Sequence, residues 1–287
     1  MRHDRDRARG RRASSGQRNL RAEHRPLITL TSDFGLSDYY VAAMKAVLVR
    51  HCPRARLIDV THQVPPQDVL CGAITLERAV DGFPPGTTHL AVIDPGVGTD
   101  RRMLVVEING QRVVCPDNGL ITWAWRMHGR GGGGGEGGAR AHEIIWRPES
   151  IASNTFHGRD VFAPVAGMLA CGEALSKLGR PIDHPVLLDV APVSSVRERG
   201  RVIHIDHFGN ATTNIAHELL KSGGADASRV IRIRGKPVGK IRRTYWDVPP
   251  GKPLALIGSS GLLEIAVRDG SAAETLKVRV GDEVVVS

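Results

Sequence analysis

Residues 27–94 constrain the chain most, because apolar runs of two different periods alternate there. LITLTSDFG (27–35) is short, rich in β-branched residues and closed by Gly35, the pattern of a buried strand. SDYYVAAMKAVLVRHCP then sets Val41, Met44 and Leu48 on one helical face, with Pro53 as a stop. ARLIDVTH is a second strand. PPQDVLCGAITLERAVDGF is a second helix, opened by proline, with Val69, Ala73, Leu76 and Val80 on one face. THLAVID is a third strand. Strand–helix–strand–helix–strand demands a parallel sheet with right-handed crossovers, so the fold class is α/β.

The pattern then changes. RRMLVVEING and QRVVCPDNG are strands joined through Asn109-Gly110, LITWAWRMH is a short helix, and FHGRDVFAPVAGMLACG is a turn leading into a helix that ends at Gly172. The glycine-rich stretch 129–139 is expected to be a flexible surface loop. Beyond Pro192, four segments of short strands broken by Gly, Pro and Asp turns indicate a small β-barrel or β-sandwich. Residues 27–190 are therefore read as an N-terminal α/β domain and 191–287 as a second, all-β domain, with the boundary in Pro181–Pro192.

The net charge of +9 suggests nucleic acid until it is located. Residues 1–26 hold nine arginines and three acids, which leaves +3 for the remaining 261 residues. That segment has almost no apolar side chains to repay the entropy of ordering, and is expected to be a disordered tail. A specific nucleic-acid partner is not expected. No apolar run approaches the ~18 residues that span a bilayer, so the expected location is the cytoplasm, without a membrane partner. Four scattered cysteines without C-x-x-C spacing argue against a zinc ribbon or a disulfide framework, and are expected to be reduced thiols.

Ligands of open α/β sheets bind outside the carboxyl ends of the strands. Asp33 ends the first strand, Asp94 the third, and Asp117-Asn118-Gly119 follows a later one, with Asn118 a candidate substrate-binding residue. A carboxylate such as Asp33 can accept two hydroxyls side by side, which suits a ribose diol. Asp94 and Arg101 flank a six-residue turn that can bring carboxylate and guanidinium together, and an arginine so placed can polarise a bound water. A turn-closing surface ion pair fits these residues equally well. Strand alternation points Arg102 to the opposite face. His157, before Gly158 at a helix entry, can shuttle a proton near neutrality, although a lone histidine is more often structural. Arg159 and Asp160 beside it pair with each other or cap the helix. His204, Asp206 and His207 form an H-x-D-H cluster split across two strand faces, a poor metal site. The phosphate-binding motifs G-x-x-x-x-G-K-[ST] and G-x-G-x-x-G are absent.

LTSDFG, DVTHQVPPQD, VIDPGVGTDRR, VCPDNG, NTFHGRDVFAPVA, IDHFGNATTN and GSSGLLEIAVRDGSAA occur in this order between Leu27 and Ser287. Together they resemble the S-adenosyl-L-methionine hydroxide adenosyltransferases, relatives of the fluorinases and chlorinases. The resemblance implies an N-terminal α/β domain with a central, mainly parallel sheet, a C-terminal β-barrel, and a homotrimer with active sites between subunits. It implies a catalytic set of Asp94, Arg101 and His157 and a ribose-binding Asp33. Asp206, Asn210, Ser259, Glu264 and backbone near Ala266 would grip the methionine and adenine ends from a neighbouring subunit. The implied reaction is hydrolysis of S-adenosyl-L-methionine to adenosine and L-methionine, with no metal or redox cofactor. The rivals are halide-dependent adenosyl transfer and a non-catalytic module that binds S-adenosyl-L-methionine or adenosine. The glycine-rich stretch and the arginine-rich tail lie outside the family pattern.

Overall fold

The computed structural model describes residues 25–129, 138–149, 152–190, 199–221 and 229–287. Residues 1–24 of the expected disordered tail, most of the glycine-rich loop and the start of the second domain fall outside these described residues.

The alternation of periods is realised element by element: β1 (Leu27–Ser32), α1 (Tyr40–His51), β2 (Arg56–Thr61), α2 (Val69–Gly82) and β3 (Thr88–Val92). Helix α2 begins three residues after Pro66. Its start is set by Asp68, whose side chain accepts from the Cys71 N–H at 2.9 Å and satisfies a donor that a helix start leaves unpaired. Strands β4 (Met103–Ile108) and β5 (Gln111–Pro116) form a hairpin. Asn109 and Gly110 both take positive φ (50° and 70°), the two-residue turn that matches the twist of paired strands. After α3 (Thr122–His128) come β6 (Arg140–Ile144), α4 (Ala163–Ala170), α5 (Leu175–Leu178) and β7 (Gly179–Ile182). Strands β6 and β7 carry too little periodic signal to be read from sequence. Pro181 is tolerated in β7 because β7 is an edge strand, paired with β6 alone.

The sheet runs β2-β1-β3-β5-β4-β6-β7. Strands β2, β1, β3 and β5 pair in parallel, and β4 and β7 are the two that run against the rest. Helices α1 and α4 bury Met44, Leu48, Val165 and Leu169 on one face. The opposite face takes Leu76 and Val80 of α2 with Ala124 of α3. The result is a helix–sheet–helix sandwich whose β1, β3 and β5 ends carry the acids.

The second domain closes as a seven-stranded barrel in the order β10-β11-β12-β13-β9-β8-β14. Its strands are β8 (Arg199–Ile205), β9 (Ala211–Ala216), β10 (Val230–Ile233), β11 (Lys236–Arg242), β12 (Pro253–Ile257), β13 (Leu262–Val267) and β14 (Glu283–Val286). Closure removes the unpaired edges that an open sheet of such short strands would present. The two domains meet through Ala73 and Ile74 of α2, Trp123 of α3, Ile203, Ala216 and Leu262. His204 belongs to this seam: its Nδ1 lies 3.8 Å from the Cys71 Sγ. Among the described residues no group of three His, Cys, Asp or Glu side chains is arranged to hold a metal, and no helix is long and apolar enough to cross a membrane.

Candidate active site

Asp94 follows β3, and the loop from Asp94 leads back to β4 through Arg101. The guanidinium binds the carboxylate with two N–H groups: Nε donates to Oδ1 at 2.5 Å and Nη2 to Oδ2. Both side chains are largely buried, 5% and 8% exposed, so this is not the surface ion pair that the residues alone allow. Nη2 also lies 3.1 Å from the Nδ1 of His157. The remaining nitrogen, Nη1, is buried and has no partner among the described residues. An unmatched buried donor on a charged group is costly, so it marks a place where an acceptor oxygen is favoured.

Arginine has no lone pair to offer, so the contact fixes the histidine: Nδ1 accepts, and Nε2 carries the ring proton. Burial, reinforced by the Arg101 charge, lowers the His157 pKa from its ordinary value. The imidazole is thus held neutral beside a permanent cation.

Local sequence explains how His157 arrives there. Gly158–Phe162 forms one π-helical turn, with the Ala163 N–H donating to the Gly158 carbonyl. Pro164 follows at the start of α4 and lacks the N–H that a regular α-helix would direct at Asp160. Gly158 lets this turn press onto the sheet: a Cβ there would sit 3.3–3.5 Å from Met44, Val92 and Phe156. Arg159 and Asp160 pair with each other, and Asp160 also accepts from the Ser153 N–H, which braces the segment leading to His157.

Arg102 points the other way, as alternation predicts. It donates to buried Asp117 at 2.7 Å and to the His184 carbonyl at 2.8 Å. Asn118 binds the backbone on both sides: its Nδ2 donates to the Ile93 carbonyl and its Oδ1 accepts from the Leu120 N–H, which leaves a second N–H and a second lone pair. It therefore ties the end of β3 to the turn after β5.

Asp33 sits just past β1, where Oδ2 accepts from the Gln67 N–H at 2.8 Å. Its loop is held by a residue that the sequence did not single out. The His62 ring contacts the Ser32 hydroxyl at 2.7 Å, and the His62 carbonyl accepts from the Gly35 N–H. Phe34, Tyr40 and Phe156 pack ring against ring, joining the Asp33 loop to the His157 segment.

The barrel residues form a second group. Asp206 Oδ1 accepts from the N–H groups of Phe208 and Asn210, and its Oδ2 from the Asn210 amide. Glu264 accepts from the Tyr245 hydroxyl at 2.7 Å. Burial raises the Glu264 pKa and Asp206 adds to it, while the Tyr245 hydrogen bond opposes the shift. Beside them is a cleft of about 620 Å³ lined by Phe208, Asn210, Tyr245, Trp246 and Arg268, with the Arg268 guanidinium 3.9 Å from the centre of the Trp246 ring. Ser259 is exposed in the β12–β13 turn, and Ala266 is buried on β13. Tyr245 and Trp246 were missed in the sequence. With aromatics at only 4% of the chain, an adjacent Tyr-Trp pair in a polar stretch was the available signal. Within one chain, no hydrogen bond or ion pair among the described residues links the barrel group to Asp94, Arg101 or His157.

An α/β sandwich with a partly buried acid–guanidinium–imidazole set, followed by a closed barrel with its own polar cleft, defines a two-domain enzyme class. Family models place it further: residues 28–179 match the SAM hydroxide adenosyltransferase N-terminal domain and residues 200–285 the C-terminal domain. The chain belongs to the SAM hydroxide adenosyltransferase family. It is 39% identical over 269 residues to a protein of Salinispora arenicola named (R)-S-adenosyl-L-methionine hydrolase, covering 91% of this chain and 98% of that one. A protein of Nocardia brasiliensis named fluorinase is more distant, 28% identical over 299 residues, with 91% and 97% covered. Among solved structures, an uncharacterized conserved protein of Thermotoga maritima superposes with a TM-score of 0.81 at 37% identity, covering 91% of this chain and all of that one.

Proposed function

We propose that this chain hydrolyses S-adenosyl-L-methionine to adenosine and L-methionine, with water attacking the ribose C5′. The observation that carries this reading is the buried Asp94–Arg101 pair, with its unmatched Arg101 Nη1, against the half-buried His157. The names of the relatives at 34–39% identity support the same substrate.

The chemistry asks little beyond a good nucleophile. The sulfonium is a cationic leaving group, so the C5′–S bond breaks with its electron pair going to sulfur as L-methionine forms. Water must be aligned and partly desolvated before it attacks. Arg101 Nη1 stabilises the oxygen as it gains hydroxide character. The water's proton passes to Asp94, whose oxygens keep lone pairs beyond the two that Arg101 occupies. His157 has its only lone pair engaged by Arg101, so it orients the set through Nδ1 and offers Nε2–H as a donor. Asp33 accepts the ribose hydroxyls.

Asp206, Asn210, Ser259, Glu264 and the Ala266 backbone hold the methionine and adenine ends from a neighbouring copy in a homotrimer. Large exposed rings near both groups, Tyr39 (63%), Phe208 (74%) and Trp246 (75%), support such an interface. Neither a metal nor a redox group has a step to perform in this scheme.

The deciding experiment incubates the protein with S-adenosyl-L-methionine in ¹⁸O-water, with and without chloride or fluoride, and weighs the nucleoside. Labelled adenosine regardless of halide is expected. A halogenated nucleoside, or intact substrate after binding, would overturn the proposal in favour of halide transfer or of a non-catalytic binding module.

A further inference from the structure

Helices α1 and α4 lie side by side on one face of the sheet, and each ends on a cysteine. Cys52 follows α1 with its N–H on the Leu48 carbonyl, and Cys171 follows α4 with its N–H on the Gly167 carbonyl. The helix ends meet because position 167 is glycine: a Cβ there would stand 2.8 Å from the His51 Cβ and 3.5 Å from the Leu48 carbonyl oxygen. Each cysteine thus caps the turn that makes the close approach, and the Cys171 thiol is near enough to raise the pKa of Cys52. Cys52 is buried and Cys171 is exposed. The other two thiols are placed differently, Cys71 beside His204 at the domain seam and Cys115 inside the sheet.

We propose that Cys52 and Cys171 are a disulfide-forming pair that staples α1 to α4 when a low-molecular-weight disulfide is present. Two cysteines that cap helix ends in backbone contact need little movement to reach the narrow geometry of a disulfide. Exposure makes Cys171 the sulfur that a reagent meets first. Its thiolate attacks the small disulfide, forming a mixed disulfide and expelling one small thiol. Cys52 then attacks the Cys171 sulfur, expels the second small thiol and closes the protein disulfide. One small disulfide is reduced to two thiols, two protein thiols are oxidised, and two protons move from the protein to the released thiolates. Burial, with the neighbouring Cys171 thiol second, pushes the Cys52 thiol up to about 11, which suits it to resolving rather than initiating. The bond would close a loop of about 120 residues, the long-loop case in which cross-linking restricts the unfolded chain most.

The test treats the purified protein with oxidised glutathione, blocks remaining thiols under denaturing conditions, and maps the peptides. A mass lower by about 2 Da, one peptide pair joining Cys52 to Cys171, and a raised Tm that dithiothreitol reverses are expected. C52S should instead keep glutathione on Cys171, and C171S should leave Cys52 unmodified over the same period. A persistent glutathione adduct on Cys171 in the unaltered protein, cross-links between molecules, or an unchanged Tm in the cross-linked protein would each overturn the proposal. None of these readouts depends on turnover.

Discussion

Arg101 Nη2 sits 3.1 Å from His157 Nδ1 while the same guanidinium grips Asp94, so one permanent cation fixes both the acid and the histidine tautomer. Protonating His157 would break that contact and place two cations side by side.

A pH dependence follows, with a definite sign. Burial and Arg101 lower the His157 pKa, so the folded ring stays neutral where an ordinary histidine, near ~6.5, is half protonated. Between the lowered value and ~6.5 the unfolded chain binds the extra proton. Stability therefore rises with pH across that window and is lost as pH falls through it. For the proposed hydrolysis, kcat/KM should keep its plateau below pH ~6.5 and decline only further into acid. An acid limb centred at or above that value would contradict the geometry.

Two consecutive arginines should separate catalysis from stability. Arg101→Lys replaces a fork by a point charge and cannot serve two carboxylate oxygens and a ring nitrogen together. Turnover should fall by a factor of ~10² or more, the scale of a lost charge-stabilising donor. Arg102→Ala should leave turnover within about twofold. It removes a partner of Asp117, whose side chain is 1% exposed, and should cost about 1–3 kcal/mol in urea unfolding. Equal losses of turnover in the two variants would mean that the alternation of faces has no functional meaning.

How far the sequence reached follows from the range of each signal. Hydrophobic period sufficed for β1 to β3 with α1 and α2, and Asn109-Gly110 for the first hairpin, because those signals lie within the elements themselves. Strands β6 and β7 were illegible because a short strand such as Gly179–Ile182 has no periodicity to read and is defined by its pairing with β6. Asp94 and Arg101 could be placed at one sheet edge, but their burial, which separates a working pair from a turn-closing one, comes from residues far away in sequence. The π-helical turn before α4 could be anticipated from Pro164 only once the helix register was known.

Asp206 offers a test on the barrel side. Its carboxylate accepts from the Phe208 and Asn210 N–H groups and from the Asn210 amide, and so shapes the β8–β9 turn beside the cleft. Asp206→Ala should cost about 1–3 kcal/mol, since three donors lose their acceptor. In the proposed reaction it should raise KM more than it lowers kcat, because this group binds the remote ends of the substrate. A fall in kcat at unchanged KM would move Asp206 to the reacting centre.

The loop that carries Arg101 is held in place by contact with the loop that carries His157, and glycine makes the contact possible. Gly98 has φ +83°, and a Cβ on it would stand 2.5 Å from the Asn154 carbonyl oxygen. Gly98→Ala must therefore strain the backbone and push apart the segments that bring guanidinium and imidazole together. Gly86 has a similar φ of +87° at the far end of β3, where a Cβ would meet nothing within 4 Å. Gly86→Ala shares the backbone strain without the displacement, so both variants should lose about 1–3 kcal/mol. Only Gly98→Ala should also lose turnover, by a factor of ~10² for a displacement near 1 Å. Thermal melts and initial rates on the two proteins compare the effects directly. If Gly98→Ala lost no more activity than Gly86→Ala, the spacing between Arg101 and His157 would not be what the reaction depends on.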